Sequence, residues 1–533
     1  MKKTKKTLLY IIIAALILII TAGAIILFGV VGVDKKVTYS ESKKANNNIN
    51  TGITIVDEST TYQTLKGFGA SACWWSQDVG KWENSKEILS YLYDSDKGIG
   101  LNIYRYNLGA GSKGDSRITI ENRATEGFLK DDGTYDFTAD ADAQKCLKEA
   151  RELAGNDLRV TLFCNSAPVQ LTKNGTAYCS PTKDENAPLE SNLAPENYEG
   201  FADYCYRCAV HFLDEGYRVT DVSPINEPQY KWRAWYNKDG TYSAKQEGCY
   251  YTPEQTRELL KVFVDKFDGS DVDDKGCKVS MFESGEIQGE GSDCGKYMDF
   301  ILGRDREYVF KNIMLRKYFN SVSMHSYWSS RETKESGKKY FSDKYSKYSI
   351  ACTEYCQMTN DENTGVFDLI SAEKNGTNGM SIEYGVAMAR VILDDLTVMN
   401  ATEWDWWVGC SYGIYTDGLV YLNPDNHSDI QTSKRLWCLG NFSKFIDEGA
   451  IRLACSSGVE GLDCCAFANI DGTNVIVYVN NTDKDLSTTY NCQSDYAVYT
   501  TSAEHDLEMT DRGNKGNTKI SIPAMSVVTV VLG

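Results

Sequence analysis

The chain has 533 residues, 42% of them hydrophobic and 24% charged, enough for a large core or for more than one domain. Its formal charge of −18 argues against nucleic acid as a partner, because phosphates require a basic face. Four histidines (His211, His325, His427 and His505) form no close-spaced pair, so no metal hydrolase is expected, and the Gly-rich GAGSKG at 109–114 lacks the Gly-Lys-Ser/Thr ending of a phosphate loop, so no cofactor is indicated.

Lys2, Lys3, Lys5 and Lys6 precede an uncharged run from Leu8 to Val33. As a helix that run spans about 39 Å, more than the ~30 Å hydrocarbon core of a bilayer. Residues 1–36 are therefore expected to form a membrane anchor, or a signal segment if cleaved, with the lysines inside and the remainder exported. The protein would be extracellular, held at the cell surface by this helix or secreted without it, and membrane contact would be limited to this segment. Seventeen cysteines in an exported chain suggest disulfides, with at least one thiol left over; the pairing is not legible.

Residues 37–63 read as a polar stalk followed by a strand. Short β-rich runs then alternate with helical patterns. Strands are expected near 64–72, 101–109, 159–167, 220–226, 278–284, 321–328, 349–355 and 401–408. Helices are expected at 139–154, 196–215, 252–267, 380–396 and 432–447, with long insertions at 110–137 and 229–250. Eight strands separated by helices predict a (β/α)8 TIM barrel over 64–450, in the α/β class. From 451 to 533 alternating strands with turn residues between them, such as Asp471-Gly472, predict an attached β-sandwich, joined by the strand at 53–56.

In such a barrel the functional residues sit at the C-terminal ends of the strands. Those ends carry Trp74 and Trp75, Arg105, Asn165, Asn226 and Glu227, Glu283, then His325, Tyr327 and Trp328, Glu354, and finally Trp406 and Trp407. Two carboxylates among amides, an arginine and several rings suit glycoside cleavage. One carboxyl protonates the leaving oxygen, the second attacks or activates water, and rings stack on sugar faces.

The stretches LKGFGASACWW (65–75), YRYNLG (104–109), NSAPVQLTKNG (165–175), VSPINEP (222–228), CTEY (352–355) and WDWW (404–407) resemble glycoside hydrolase family 30, in that family's order. The resemblance implies a retaining mechanism, with Glu227 as acid/base and Glu354 as nucleophile. Trp74, Arg105, Asn165, Asn226, His325, Tyr327 and Trp406, at the strand ends, are the candidate substrate contacts; His325 reads equally as a structural strand-end histidine, and Arg105 can also support the barrel or hold the nucleophile ionised. The CWW after the first strand and QEGC (246–249) most resemble the endo-β-1,6-galactanase branch. A polysaccharide or oligosaccharide would be the substrate. Other specificities of the family stay open (β-1,6-glucan, xylan or glucuronoxylan, exo-β-glycosidase), as does a non-catalytic glycan-binding surface protein. Two departures stand out: Val169 and Gln170 follow Pro168 where the family usually places aromatic residues, and Asp405 stands inside the last strand where a neutral residue is expected.

Overall fold

Short apolar runs that are buried on both faces form parallel strands when helices cover the sheet, and the central sheet here has that character. The computed structural model describes residues 50–533 except 185–186, 288, 290, 304–305, 359–378 and 413–414. The expected membrane segment lies outside the described residues. Among these, no helix is long and apolar enough to cross a membrane.

The first barrel strand, Gly67–Ser71, pairs in parallel with Ile103–Asn107 on one side and Ala401–Trp406 on the other. From Ile103–Asn107 the sheet continues through Arg159–Phe163 and Arg218–Ser223 to Lys278–Val279. From Ala401–Trp406 it continues through Ser349–Glu354 and Ser321–His325 to Glu283–Ser284. The two outermost segments are the two halves of one interrupted strand, the fifth, and through it the eight-stranded barrel closes.

Helices follow the strands, among them Ala141–Ala154, Tyr198–Asp214, Pro253–Phe267, Ile382–Asp394 and Lys434–Ser443, each within the span the sequence suggests. The helix at 253 shows why its start is legible: Thr252 caps Gln255 N–H, Gln255 returns the bond, and Pro253 stands where no N–H is needed.

The strand Ile55–Thr64, which precedes the barrel, runs antiparallel to Ile451–Ser456 and so opens the β-sandwich sheet. That sheet has seven strands; Leu486–Cys492 and Gly516–Ile522 form a separate two-stranded ribbon. The sandwich meets the barrel through the last helix, where Asn441 donates to Thr529 Oγ1 at 2.9 Å and Phe445 lies 4.5 Å from Tyr499. Among the described residues, no disulfide of the kind expected of an exported chain is formed. The described cysteines are thiols, nearly all of them buried, filling core positions as small apolar side chains do.

Candidate active site

A buried arginine must be paired to offset its desolvation, and Arg105 on the second strand organises the rim accordingly. Its guanidinium lies 3.6 Å over the Phe163 ring. It donates to Glu354 Oε2 at 2.9 Å, Glu283 Oε2 at 3.0 Å and Asn226 Oδ1 at 3.2 Å. Burial pushes the Glu283 carboxyl upward, but Arg105 and then His325 overcome it and hold Glu283 at about 2. Thr353 adds a hydroxyl bond to the same Oε2 at 2.6 Å.

Glu227 follows the fourth strand in the left-handed region, with φ of +44°. A non-glycine residue there costs about 1–3 kcal/mol, so its surroundings must fix it. Its N–H donates to Glu283 O at 2.8 Å, and its carbonyl accepts from Tyr230 N–H at 3.2 Å and Trp232 Nε1 at 2.9 Å. The first of these bonds comes from the residue at which the fifth strand resumes. One strained residue thus turns the carboxylate out of an apolar strand toward the barrel axis.

His325, at the end of the sixth strand, bridges the carboxylates. Its Nδ1 lies 2.8 Å from Glu227 Oε1 and 3.6 Å from Glu354 Oε1, and its Nε2 lies 3.1 Å from Glu283 Oε2. Burial alone would depress its pKa; Glu354 and the bonds to Glu227 and Glu283 raise it to about 10. At neutral pH both ring nitrogens are therefore donors. This corrects the expectation of a sugar contact, since His325 has no exposed surface and both nitrogens are engaged.

Glu354 ends the seventh strand. It accepts from Tyr327 Oη at 3.0 Å on Oε1 and from Arg105 on Oε2. Burial raises its carboxyl to about 7, with His325 and Arg105 pulling it down against the push of Glu227 and Glu283. One oxygen of Glu227, one nitrogen of His325 and one oxygen of Glu354 lie within 4.8 Å of one another. That trio has the spacing of metal ligands, and its contacts in this structure are those of ion pairs.

The remaining expected residues divide. Asn165 donates to Asn107 Oδ1 at 3.3 Å and accepts from Asn226 Nδ2 at 3.5 Å, extending the amide chain from Arg105. Tyr327 is buried and acts on Glu354 directly. Trp74 meets Trp407 edge to face at 5.2 Å, and its indole N–H has no partner among the described residues. Trp406 is the second correction. It is fully buried, packed on Trp404 and Tyr355, with its indole N–H donated to the Asp417 carbonyl, so it offers no face to a sugar; Trp407, next in the chain, takes the place beside Trp74. Asp405 points into the barrel against Gly69, where any Cβ would meet its Oδ1 at 2.4 Å. Burial and then Glu403 push the Asp405 carboxyl well above its ordinary value.

Sequence reasoning missed Glu247. Fully buried in the 229–250 insertion, it accepts from Ser112 Oγ at 2.6 Å, Thr125 Oγ1 at 2.8 Å and the Ala110 N–H, and so ties the two long rim loops together. It is the Glu of QEGC, whose only prior signal was a resemblance.

A barrel rim that opposes two glutamates at this spacing, held by an arginine and flanked by tryptophans, defines a glycoside hydrolase. The chain belongs to O-glycosyl hydrolase family 30: the family model matches residues 51–421, and the family's β-sandwich domain matches residues 449–530. An endo-β-1,6-galactanase from Hypocrea rufa is 22% identical over 420 residues, covering 74% of each chain. An exo-β-1,6-galactobiohydrolase from Bifidobacterium longum is 24% identical over 278 residues, 41% of this chain and 17% of that one. Among solved structures, a conserved exported protein from Bacteroides fragilis superposes with a TM-score of 0.74 at 25% identity, over 90% of this chain and all of that one.

Proposed function

We propose that this protein is a retaining, endo-acting β-1,6-galactanase that works outside the cell by double displacement. The observation that carries retention is the approach of Glu227 and Glu354 to within 4.8 Å. Retaining sites need about 5–5.5 Å between carboxyls, whereas inverting sites leave about 6.5–9.5 Å for a water. In the first step Glu227 protonates the glycosidic oxygen while Glu354 attacks the anomeric carbon, giving a glycosyl ester on Glu354. In the second, Glu227 takes a proton from water, and the resulting hydroxide displaces Glu354 and frees it. Arg105 and Tyr327 hold Glu354 aimed and favour its ionised form. Asn226, linked to Arg105, stands where a hydrogen bond to the sugar's 2-hydroxyl can tighten in the transition state.

The galactan assignment draws support from the two relatives, both of which act on β-1,6-galactosyl linkages by name. Export draws support from the lysine-rich start and the apolar run at Leu8–Val33. The test is reducing-end release from β-1,6-galactan, with Glu354→Gln as control and NMR of the first product's anomer. Expected are release of mixed oligosaccharides, retention, and a loss of several orders of magnitude in the variant. An inverted first product would sink the mechanism. Inactivity on galactan together with cleavage of β-1,6-glucan, xylan or glucuronoxylan would sink the specificity.

A further inference from the structure

His325 fixes the tip of the Glu227 side chain, but the aim of a proton donor also depends on its root. Glu227 and Trp232 are both non-glycine residues in the left-handed region, with φ of +44° and +32°. Such residues persist only where their surroundings over-determine them. Here the two are joined across a separation of five residues: the Trp232 indole N–H donates to the Glu227 carbonyl at 2.9 Å. The Tyr230 N–H, which donates to the same carbonyl at 3.2 Å, belongs to the local turn and needs no particular side chain. The indole has to be carried there.

What carries it is a set of contacts from distant loops. The Trp232 carbonyl accepts from Cys179 N–H at 2.9 Å, and Ala234 N–H returns to the Cys179 carbonyl at 3.0 Å, so 232–234 runs parallel to the chain at Cys179. Gly248, whose N–H donates to the Ala177 carbonyl at 2.8 Å, leaves the room that the indole occupies. A Cβ at Gly248 would stand 2.6 Å from the Trp232 ring and 2.9 Å from its Cβ. The backbone of Gly248 is not left-handed, so the glycine answers a need for space. Its neighbour Glu247 is bound to Ser112 and Thr125. Segments at 112–125, 177–179 and 247–248 thus converge on one half-buried residue whose polar atom ends on Glu227. A ring that only filled space would need no N–H on that carbonyl.

We propose that Trp232 is a positioning residue for the acid/base: its indole N–H fixes the main chain of Glu227, and so the aim of the Glu227 carboxyl at the glycosidic oxygen. This rests on the reading of Glu227 as acid/base. Proton transfer needs the donor within about 2.6–3.2 Å of the leaving oxygen. Without the indole bond the Glu227 backbone is free to relax from its left-handed conformation, and the carboxyl moves with it. A misplacement of about 1 Å costs on the order of a hundredfold in rate. Gly248 belongs to the same device, since any side chain there displaces the indole.

The test uses leaving groups. Phenolate needs a proton from Glu227 as the glycosidic bond breaks, whereas 2,4-dinitrophenolate departs without one. Phenyl and 2,4-dinitrophenyl β-glycosides of β-1,6-galactobiose are compared in the parent, in Trp232→Phe, which keeps a ring and loses the N–H, and in Gly248→Ala, which keeps Trp232 and takes its room. In both variants kcat/KM on the phenyl glycoside should fall about 10–100-fold, and on the dinitrophenyl glycoside less than about threefold. On the latter, kcat and KM should fall together, because Glu227 must also deprotonate the water of the second step. Equal losses on the two glycosides would make Trp232 a part of the sugar cleft or of the fold, and no loss on either would make its bond to Glu227 idle; each overturns the proposal. Either variant decides the question if the other fails to fold. A crystal structure of Trp232→Phe gives a reading without turnover: Glu227 should leave its φ of +44° and its 2.8 Å contact with His325, and an unmoved Glu227 overturns the proposal. Should the parent cleave neither glycoside, the galactan assignment falls, and the same pair built on β-1,6-glucobiose or xylobiose carries the comparison. Inactivity on every pair refutes the glycosidase reading itself, while the crystal structure still decides whether Trp232 holds Glu227.

Discussion

His325 has no exposed surface, yet it draws down the carboxyls of two glutamates, Glu283 and Glu354. With a pKa raised to about 10 it is an imidazolium at working pH, donating to Glu227 and Glu283 and lying 3.6 Å from Glu354. Removing that charge takes away the largest influence that draws Glu354 down and leaves Arg105 and the Tyr327 hydroxyl. In His325→Asn the carboxyl of Glu354 should therefore titrate at higher pH, and the acidic limb of the kcat/KM profile should move upward. A lower rate with an unmoved limb would mean that the ring merely fills space. Arg105 is a poorer probe of the same idea, because breaking its buried pairs costs about 3–5 kcal/mol and would confound rate with stability. The two glutamates were legible in the sequence, each at the end of an apolar run. The imidazole bridge was not, because its three partners come from the fourth, fifth and seventh strands.

At the level of elements, the barrel strands were readable because their apolar runs are short and end in Asn, Glu or His. The break in the fifth strand was not readable, since Ser280–Phe282 looks like any other part of that run; the pairing of Glu283 beyond it with Ile225 and Glu227 joins residues far apart in the sequence. The last strand shows a different limit. Alternation places Trp404 and Trp406 on one face, and both are buried. The strand ends at Trp406, so alternation no longer predicts where Trp407 points, and Trp407 turns to Trp74. The two positions should respond differently. Trp406→Ala should cost about 3–5 kcal/mol of stability through the cavity it leaves, read as a fall in Tm. Trp407→Ala should raise KM about tenfold through the loss of its ring contact, with a smaller fall in Tm. The reverse ranking would restore Trp406 to the cleft. Glu247 escaped for a related reason: it lies in a loop without periodicity, and its partners Ala110, Ser112 and Thr125 are more than a hundred residues away in sequence.

For the whole molecule, the buried ionisable groups set a direction for stability against pH. Glu283 is held at about 2 against an ordinary 4.5, so its contribution is complete above 4.5 and is lost as pH falls toward 2. His325, raised from 6.5 to about 10, contributes fully below 6.5 and loses that contribution as pH rises through 10. Three buried acids work on the alkaline side with His325. Burial raises Glu247 and Glu354 to about 7 and Asp140 to about 8. Each keeps its proton in the fold after the unfolded chain has released its own, so stability declines as pH rises from about 4 to 8. For Glu247 alone the shift from 4.5 to about 7 corresponds to about 3 kcal/mol across that window. The growing negative charge of the chain adds to the same slope. Thermal unfolding should therefore give the highest Tm near pH 5, with a steady fall toward pH 8 and a further fall beyond it. Glu247→Gln, which keeps the shape but cannot ionise, should flatten the slope between pH 4.5 and 7 relative to the parent. A Tm that climbs from pH 5 to 8 would show that these carboxyls are ionised in the fold, and that the loops they join are wetter than their burial indicates.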